Sequence, residues 1–290
     1  MHRHVETRRL KLALAITSSY FITELIAGFL TNSLALLSDA GHMLSDIGAI
    51  VLSLAAFYIA RRPATLNSTY GYHRVEIVAA LFNGLALWLI VGVIFTAAYN
   101  RFFEPPQVAS RGMIVVAALG LAVNLASAWI LYDRQQKNLN VHGAFLHVVS
   151  DAVGSIGAIV AGTVMLTTGW YLADPVVSVL IGLLVLYSSW NLVRESVSIL
   201  MQWVPKGISL EEVQHTIEEV EGVEKVHDLH VWAVTSGMLT LSAHAVVDPR
   251  RDFDRVLSGI EQRLRARFNI EHTTIQLETE SREDREFKAF

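Results

Sequence analysis

The chain of 290 residues has no cysteine, so disulfides, thiolate metal ligands and thiol redox chemistry are all excluded. Charge is also scarce. Only 17% of residues are charged and 52% are hydrophobic, and the mean hydropathy is +0.41. Ordinary soluble domains carry about 25% charged residues, so this balance suits a chain that crosses a membrane several times. No basic patch with interleaved aromatics is present, which argues against a nucleic-acid partner. A cleavable signal peptide is not expected either. The apolar run after Arg8 and Arg9 is too long, and no small-residue cleavage site follows it.

What the chain does have is six long apolar stretches, near Leu10–Leu30, Leu34–Ala60, Val75–Phe102, Met113–Tyr132, Val141–Thr168 and Val176–Val193. Each can span a hydrocarbon core of about 30 Å at about 1.5 Å per residue. The expected architecture is an α-helical membrane protein: a short tail (1–9), six transmembrane helices (10–203), a small cytoplasmic domain (204–280) and a disordered tail (281–290). Basic residues cluster before the first helix (Arg3, Arg8, Arg9, Lys11), between the second and third (Arg61, Arg62, Arg74), between the fourth and fifth (Arg134, Lys137) and after the sixth (Lys206). By the positive-inside rule both termini are cytoplasmic. Glu76, two residues after Arg74, is expected to form a structural ion pair at the membrane edge.

Two of the apolar stretches repeat one pattern, His42-Met43-Leu44-Ser45-Asp46 and His147-Val148-Val149-Ser150-Asp151. Spacing of i, i+4 sets His and Asp on one helix face, a turn apart. Counting residues from opposite ends of the two spans puts both pairs near the bilayer midplane. Two facing helices then bring two imidazoles and two carboxylates to one point, a set that suits tetrahedral zinc. One such residue in a soluble core is usually a satisfied hydrogen-bonding group. At bilayer depth each costs about 2.5–3.5 kcal/mol on insertion scales, so four of them mark an ion path. Asp39 lies on the same face and reads equally as an outer ligand or proton relay and as an interhelical cap. Glu24 is a further path candidate, while Asn83 and Asn124 read as interhelical hydrogen-bonding groups.

Beyond residue 206 the chain turns acidic, with 17 acidic and 10 basic residues over 207–290. Ser209-Leu210-Glu211-Glu212 reads as a capping box opening a helix to about Glu221. Strands follow at Val223–Val234 and Leu239–Val247, then a helix at Asp252–Phe268 and a strand at Ile270–Glu278. This αββαβ order suggests a ferredoxin-like two-layer domain. Five of the eleven histidines fall in it. His215 reads as a solvated helix residue. His227, His230, His244 and His272 fall on the strands, and His272 shares parity with Glu278, so a second metal site is expected on the sheet.

These motifs resemble the cation diffusion facilitator family: bacterial zinc, cadmium and cobalt exporters and their animal zinc-transporter relatives. The resemblance rests on the stretch from Ser33 to Asp46, on Tyr70-Gly71-Tyr72-His73-Arg74-Val75-Glu76, on His147 to Asp151, and on Val226 to Trp232, Leu241 to His244 and Thr274 to Glu278. It implies a homodimeric, proton-coupled exporter in a bacterial inner membrane, a transporter and not an enzyme. The implied transport site is His42, Asp46, His147 and Asp151, and two His with two Asp goes with zinc preference in that family. It further implies cytoplasmic zinc sites using His227, His244, His272 and Glu278, with His230 as a further candidate. The histidine-rich loop that many relatives carry between the fourth and fifth helices is missing from Asp133–Asn140, leaving only His2 and His4 as a weak substitute. The expected partners are divalent metal ions, protons, the lipid bilayer and a second copy of the chain. A membrane-anchored zinc sensor without transport is the alternative. An intramembrane hydrolase ranks last, because four ligands make a closed set with no open metal position.

Overall fold

The computed structural model describes residues 19–135 and 139–281, the stretches 130–131, 133–135, 139–144 and 146–147 as backbone alone. The expectations for residues 1–18 (with His2 and His4), for 136–138 and for the tail from 282 lie outside the described residues. Eight helices and three strands follow in order. They are α1 (Ser19–Thr31), α2 (Leu34–Ala60), α3 (Arg74–Phe103), α4 (Ser110–Gln135), α5 (Leu139–Thr168), α6 (Ala173–Leu200), α7 (Leu210–Glu218), β1 (Val223–Thr235), β2 (Met238–Val247), α8 (Phe253–Phe268) and β3 (His272–Glu278). Five helices, α2 to α6, are each long and apolar enough to cross a membrane; α1 is the described part of the first expected span. The chain is a multi-pass membrane protein with a C-terminal α/β domain.

The described residues fall into two compact units, one of residues up to Val51 with Phe82–Asn191, the other of Leu52–Leu81 with residues from Leu192 on. In the first, the core is built from Leu36, Leu87, Val91, Met113, Met165 and Ile181, on five of the helices. Small residues let these helices close up, as lipid-embedded packing requires. A Cβ at Gly120 of α4 would collide with the Tyr20 hydroxyl of α1, and one at Gly182 would come within 2.6 Å of the Phe95 ring.

The break between α1 and α2 is held by three devices. Asn32 takes φ +56, a left-handed conformation that asparagine tolerates. Ser33 Oγ accepts from Leu36 N at 3.3 Å as an N-cap. Asp174, fully buried at the start of α6, accepts from Ser33 Oγ (2.7 Å), Leu34 N (2.7 Å) and Ala35 N (3.2 Å). Arg101 of α3 completes the cluster, donating to Asp174 Oδ2 at 3.2 Å and to the Asn32 carbonyl and side-chain oxygens at 2.7 and 2.9 Å. A carboxylate taken from one helix thus caps another helix 140 positions away in sequence.

In the second unit, β1 pairs antiparallel with β2, and β2 pairs parallel with β3. Ser236 and Gly237 (φ +81) turn the hairpin. Val213 and Ile217 of α7, Val256, Ile260 and Leu264 of α8, and Leu241 of β2 fill the core between helices and sheet. This is the two-layer αββαβ order expected. α7 has its Ser209 cap on Glu212 N and stops at Glu218, three residues early, where the chain turns toward Gly222 at φ +100. β3 starts at His272 and not at Ile270, because Asn269 (φ +56) caps α8 and Ile270 is spent in the core. Glu76 takes no ion pair with Arg74 among the described residues; it accepts from Thr235 Oγ1 at 3.3 Å.

Candidate metal centres

In the membrane part, α2 presents His42 and Asp46 one turn apart, and α5 presents Asp151. His42 Nε2 lies 3.7 Å from Asp46 Oδ2 and 3.7 Å from Asp151 Oδ1. Ligands about 2.0–2.2 Å from a tetrahedral zinc are separated by about 3.3–3.6 Å, so each carboxylate is within a few tenths of an ångström of sharing an ion with His42, which stands between the two. His147 lies one helical turn before Asp151 on α5; its side chain lies outside the described ones. Asp39, His42, Ser150, Asp151 and α6 residues including Ser188 line a cavity of about 20 Å³, room for about one water-sized particle. Ser45 donates to Asn83 Oδ1 at 3.1 Å, tying α2 to α3 as expected for an interhelical asparagine.

Glu24 is buried in α1. Its Oε1 accepts from Tyr20 Oη at 3.1 Å, and Asp39 is its carboxyl neighbour. Asp39 is buried too and reaches α5, where its Oδ1 lies beside Gly154. A line of oxygen groups therefore runs from Tyr20 through Glu24 and Asp39 to the cavity holding His42 and Asp151. The Asp174–Arg101 cluster at the first turn of α2 was not signalled by the sequence. Its only trace is a lone aspartate in an otherwise uncharged loop.

On the sheet, His227 of β1 and His244 of β2 are cross-strand partners, and Glu278 closes β3. One ligand atom from each lies within 4.8 Å of the other two. His227 Nε2 is 3.3 Å from Glu278 Oε2, and His244 Nδ1 is 3.5 Å from Glu278 Oε1, spacings that match two ligands of one tetrahedral ion. Glu278 Oε1 also accepts from Gln276 Nε2 at 2.6 Å, which fixes the carboxylate. His272 is not brought to this group. It pairs with Thr240 at the far end of β3, and its ring packs edge-on to Tyr70 at 5.8 Å. Shared parity fixes its face, but six residues of strand separate it from Glu278 by about 20 Å.

His230 stands apart from the three as well, held by Asp228 Oδ1 at 2.9 Å. Asp228 is the residue that sequence reasoning missed. It takes φ +48 in the register shift between His227 and His230, and its Oδ2 comes within 3.9 Å of His244 Nε2. The bulge turns this carboxylate to the histidine side of the sheet, so His244 stands between Glu278 and Asp228.

Helices too apolar for water, carrying clustered nitrogen and oxygen ligands and followed by a small α/β domain with a second cluster, define a membrane metal-handling protein. The chain belongs to the cation efflux, or cation diffusion facilitator, family. The family's cation efflux transmembrane domain matches residues 10–201, and its cation efflux protein cytoplasmic domain matches residues 205–280. The chain is 46% identical to the cadmium, cobalt and zinc/H(+)-K(+) antiporter of Bacillus subtilis, over 97% of this chain and 92% of that protein. It is 46% identical to the metal cation efflux system protein CzcD of Cupriavidus metallidurans (93% and 86% covered). It is 40% identical to the zinc transporter ZitB of Escherichia coli (93% and 87% covered). A solved structure of the metal-bound C-terminal domain of the CzcD transporter from the same Cupriavidus species shares 42% identity; it covers 24% of this chain and 99% of that one, with a TM-score of 0.24.

Proposed function

We propose that this chain exports zinc from the cytoplasm in exchange for protons, with cadmium and cobalt as further substrates. One observation carries the reading: His42, Asp46 and Asp151 converge within helices too apolar to hold such groups without a purpose. The names of the relatives, antiporter and zinc transporter, support the same substrate class and proton exchange.

Zinc enters from the cytoplasmic side and is bound by the His42 and His147 imidazoles and the Asp46 and Asp151 carboxylates. The two carboxylates balance the ion's charge, and neutral imidazoles complete the tetrahedron. Ligands must be deprotonated to bind, so zinc displaces protons from them. When the site opens to a more acidic side, protonation of the imidazoles competes with the metal and releases it. Access alternating around a midplane site is the general scheme of secondary transporters. Tyr20, Glu24 and Asp39 supply the proton path, because they form the line of oxygen groups leading to the cavity.

Both termini face the cytoplasm of a bacterial inner membrane, following the basic loops. The pair His227 and His244 with Glu278 holds zinc as a regulatory or structural ion, with Asp228 and His230 as its outer neighbours. The cytoplasmic domain joins two copies of the chain.

Zinc uptake into inside-out vesicles under an imposed proton gradient tests the reading, with a pH-sensitive dye inside. Uptake should need the gradient, and Glu24→Gln should slow the proton signal while zinc still binds. A protein that binds zinc but moves none would be a membrane-anchored sensor, and export would be disproved.

A further inference from the structure

The loop from Ala60 to His73 and the sheet of the C-terminal domain line an open pocket of about 420 Å³ that no part of the transport reading uses. Arg61, Arg62, His73 and His272 bring positive or protonatable nitrogen to its wall, Thr69 and Tyr70 bring hydroxyls, and no carboxylate of the described residues lines it. Among the described residues neither Arg61 nor Arg62 has an ion-pair partner. Arg250, Arg251, Arg263, Arg265 and Arg267 of the same unit each have one. Two adjacent guanidiniums at a helix end gain something from the helix dipole, but among the described residues the pocket offers them no acidic partner.

The surroundings are apolar in an unusual place. Leu66, at the tip of the small Thr65–Ser68 bridge, is fully exposed, and Phe57 and Tyr58 are exposed on the last turn of α2. The Arg61 guanidinium lies 5.0 Å from the centre of the Phe57 ring. An exposed leucine and aromatic rings beside arginines form the profile of a segment that sits at the headgroup level, apolar groups in the acyl boundary and cations among phosphates. The loop joins two membrane-crossing helices, so it meets headgroups whichever way the bundle points.

We propose that this pocket holds the phosphate of an anionic phospholipid, gripped by Arg61 and Arg62 from the loop and by His272 from the first position of β3. Arginine forks bind two phosphate oxygens at once, which ammonium and imidazole groups do not. His272, too far from Glu278 to share its ion, has a place here.

Native mass spectrometry of the full-length chain tests the site, with phosphatidylglycerol and phosphatidylcholine offered in equal amounts. The parent should retain phosphatidylglycerol preferentially. At about 1 kcal/mol per cationic side chain near the surface, Arg61→Gln and Arg62→Gln should each weaken retention about fivefold, and together about thirtyfold. Lys206→Gln, an exposed basic residue outside the pocket, should change it by less than about twofold. The single variants serve if the double one elutes or melts abnormally. Equal losses in Lys206→Gln would reduce the effect to general surface attraction and overturn the site. So would displacement of the lipid by millimolar inorganic phosphate, which would mark a site for free phosphate.

Discussion

Asp46 and Asp151 stand at the same distance, 3.7 Å, from His42 Nε2, so removing either carboxylate should damage zinc binding to the same extent. Asp46→Asn and Asp151→Asn keep the volume and one oxygen but remove the charge. In a desolvated site, truncating one member of a close charge pair costs about 2–5 kcal/mol. At about 1.4 kcal/mol per factor of ten, zinc affinity should fall about thirtyfold to several thousandfold. Zinc flux into vesicles, measured against zinc concentration, should therefore show a raised half-saturation for each variant. Thermal melting should change little, because neither carboxylate caps a helix. Together the two changes should abolish transport. If one variant keeps the parental concentration dependence while the other loses it, the carboxylates do not share an ion, and the convergence on His42 is an interhelical contact only.

Replacing His42 by aspartate should shift selectivity toward Mn²⁺, since carboxylate suits manganese and imidazole suits zinc; an unchanged profile in competition flux would remove His42 from the ligand set. Asp174→Ala should lower the melting temperature by about 6–20 °C, because a buried pair broken on one side costs about 3–5 kcal/mol; a shift within about 1 °C would show the cluster to be idle. Zinc at a hundredfold excess over its dissociation constant should stabilise the C-terminal domain by about 2.7 kcal/mol, and His244→Ala with Glu278→Ala should erase the gain in calorimetry. The Asp248 carboxyl is pushed down to about 2 by hydrogen bonds from the Arg250 side chain and backbone. A folded-state value below the ordinary one means that its contribution is present above about 3.9 and fades as pH falls through about 2. NMR titration of the Asp248 carboxyl should find it low, and Arg250→Ala should bring it back toward the ordinary value.

Hydropathy located the membrane helices but not their ends. The sixth apolar window stops at Val193 while α6 runs on to Leu200. The window measures the hydrocarbon core, and Arg194, Glu195 and Ser196 continue the helix until the turn at Gln202, which takes φ +57. Periodicity placed His42 with Asp46, because one helical turn suffices to relate them. It could not separate His272 from the other ligands, since parity on a strand carries no information about distance along it. Asp228 was hidden for a related reason: a bulge changes which face a residue takes, and no composition rule marks this one. Asp174 was invisible because its partners lie near residue 33, and a cap supplied from another helix leaves no local pattern.

The Asp174 cluster also orders the making of the molecule. Its acceptor oxygens arrive about 140 residues after the α2 amides they satisfy, and at roughly 5–20 residues per second synthesis takes about 7–30 s to deliver them. Until then the first turn of α2 relies on Ser33 alone, and Arg101 has only Asn32 to hold. The helix that carries half of the proposed metal ligands is therefore fastened at its start only when the last membrane helix has been made. A chain cut short before α6 would enter the bilayer with its ligands present and that fastening missing.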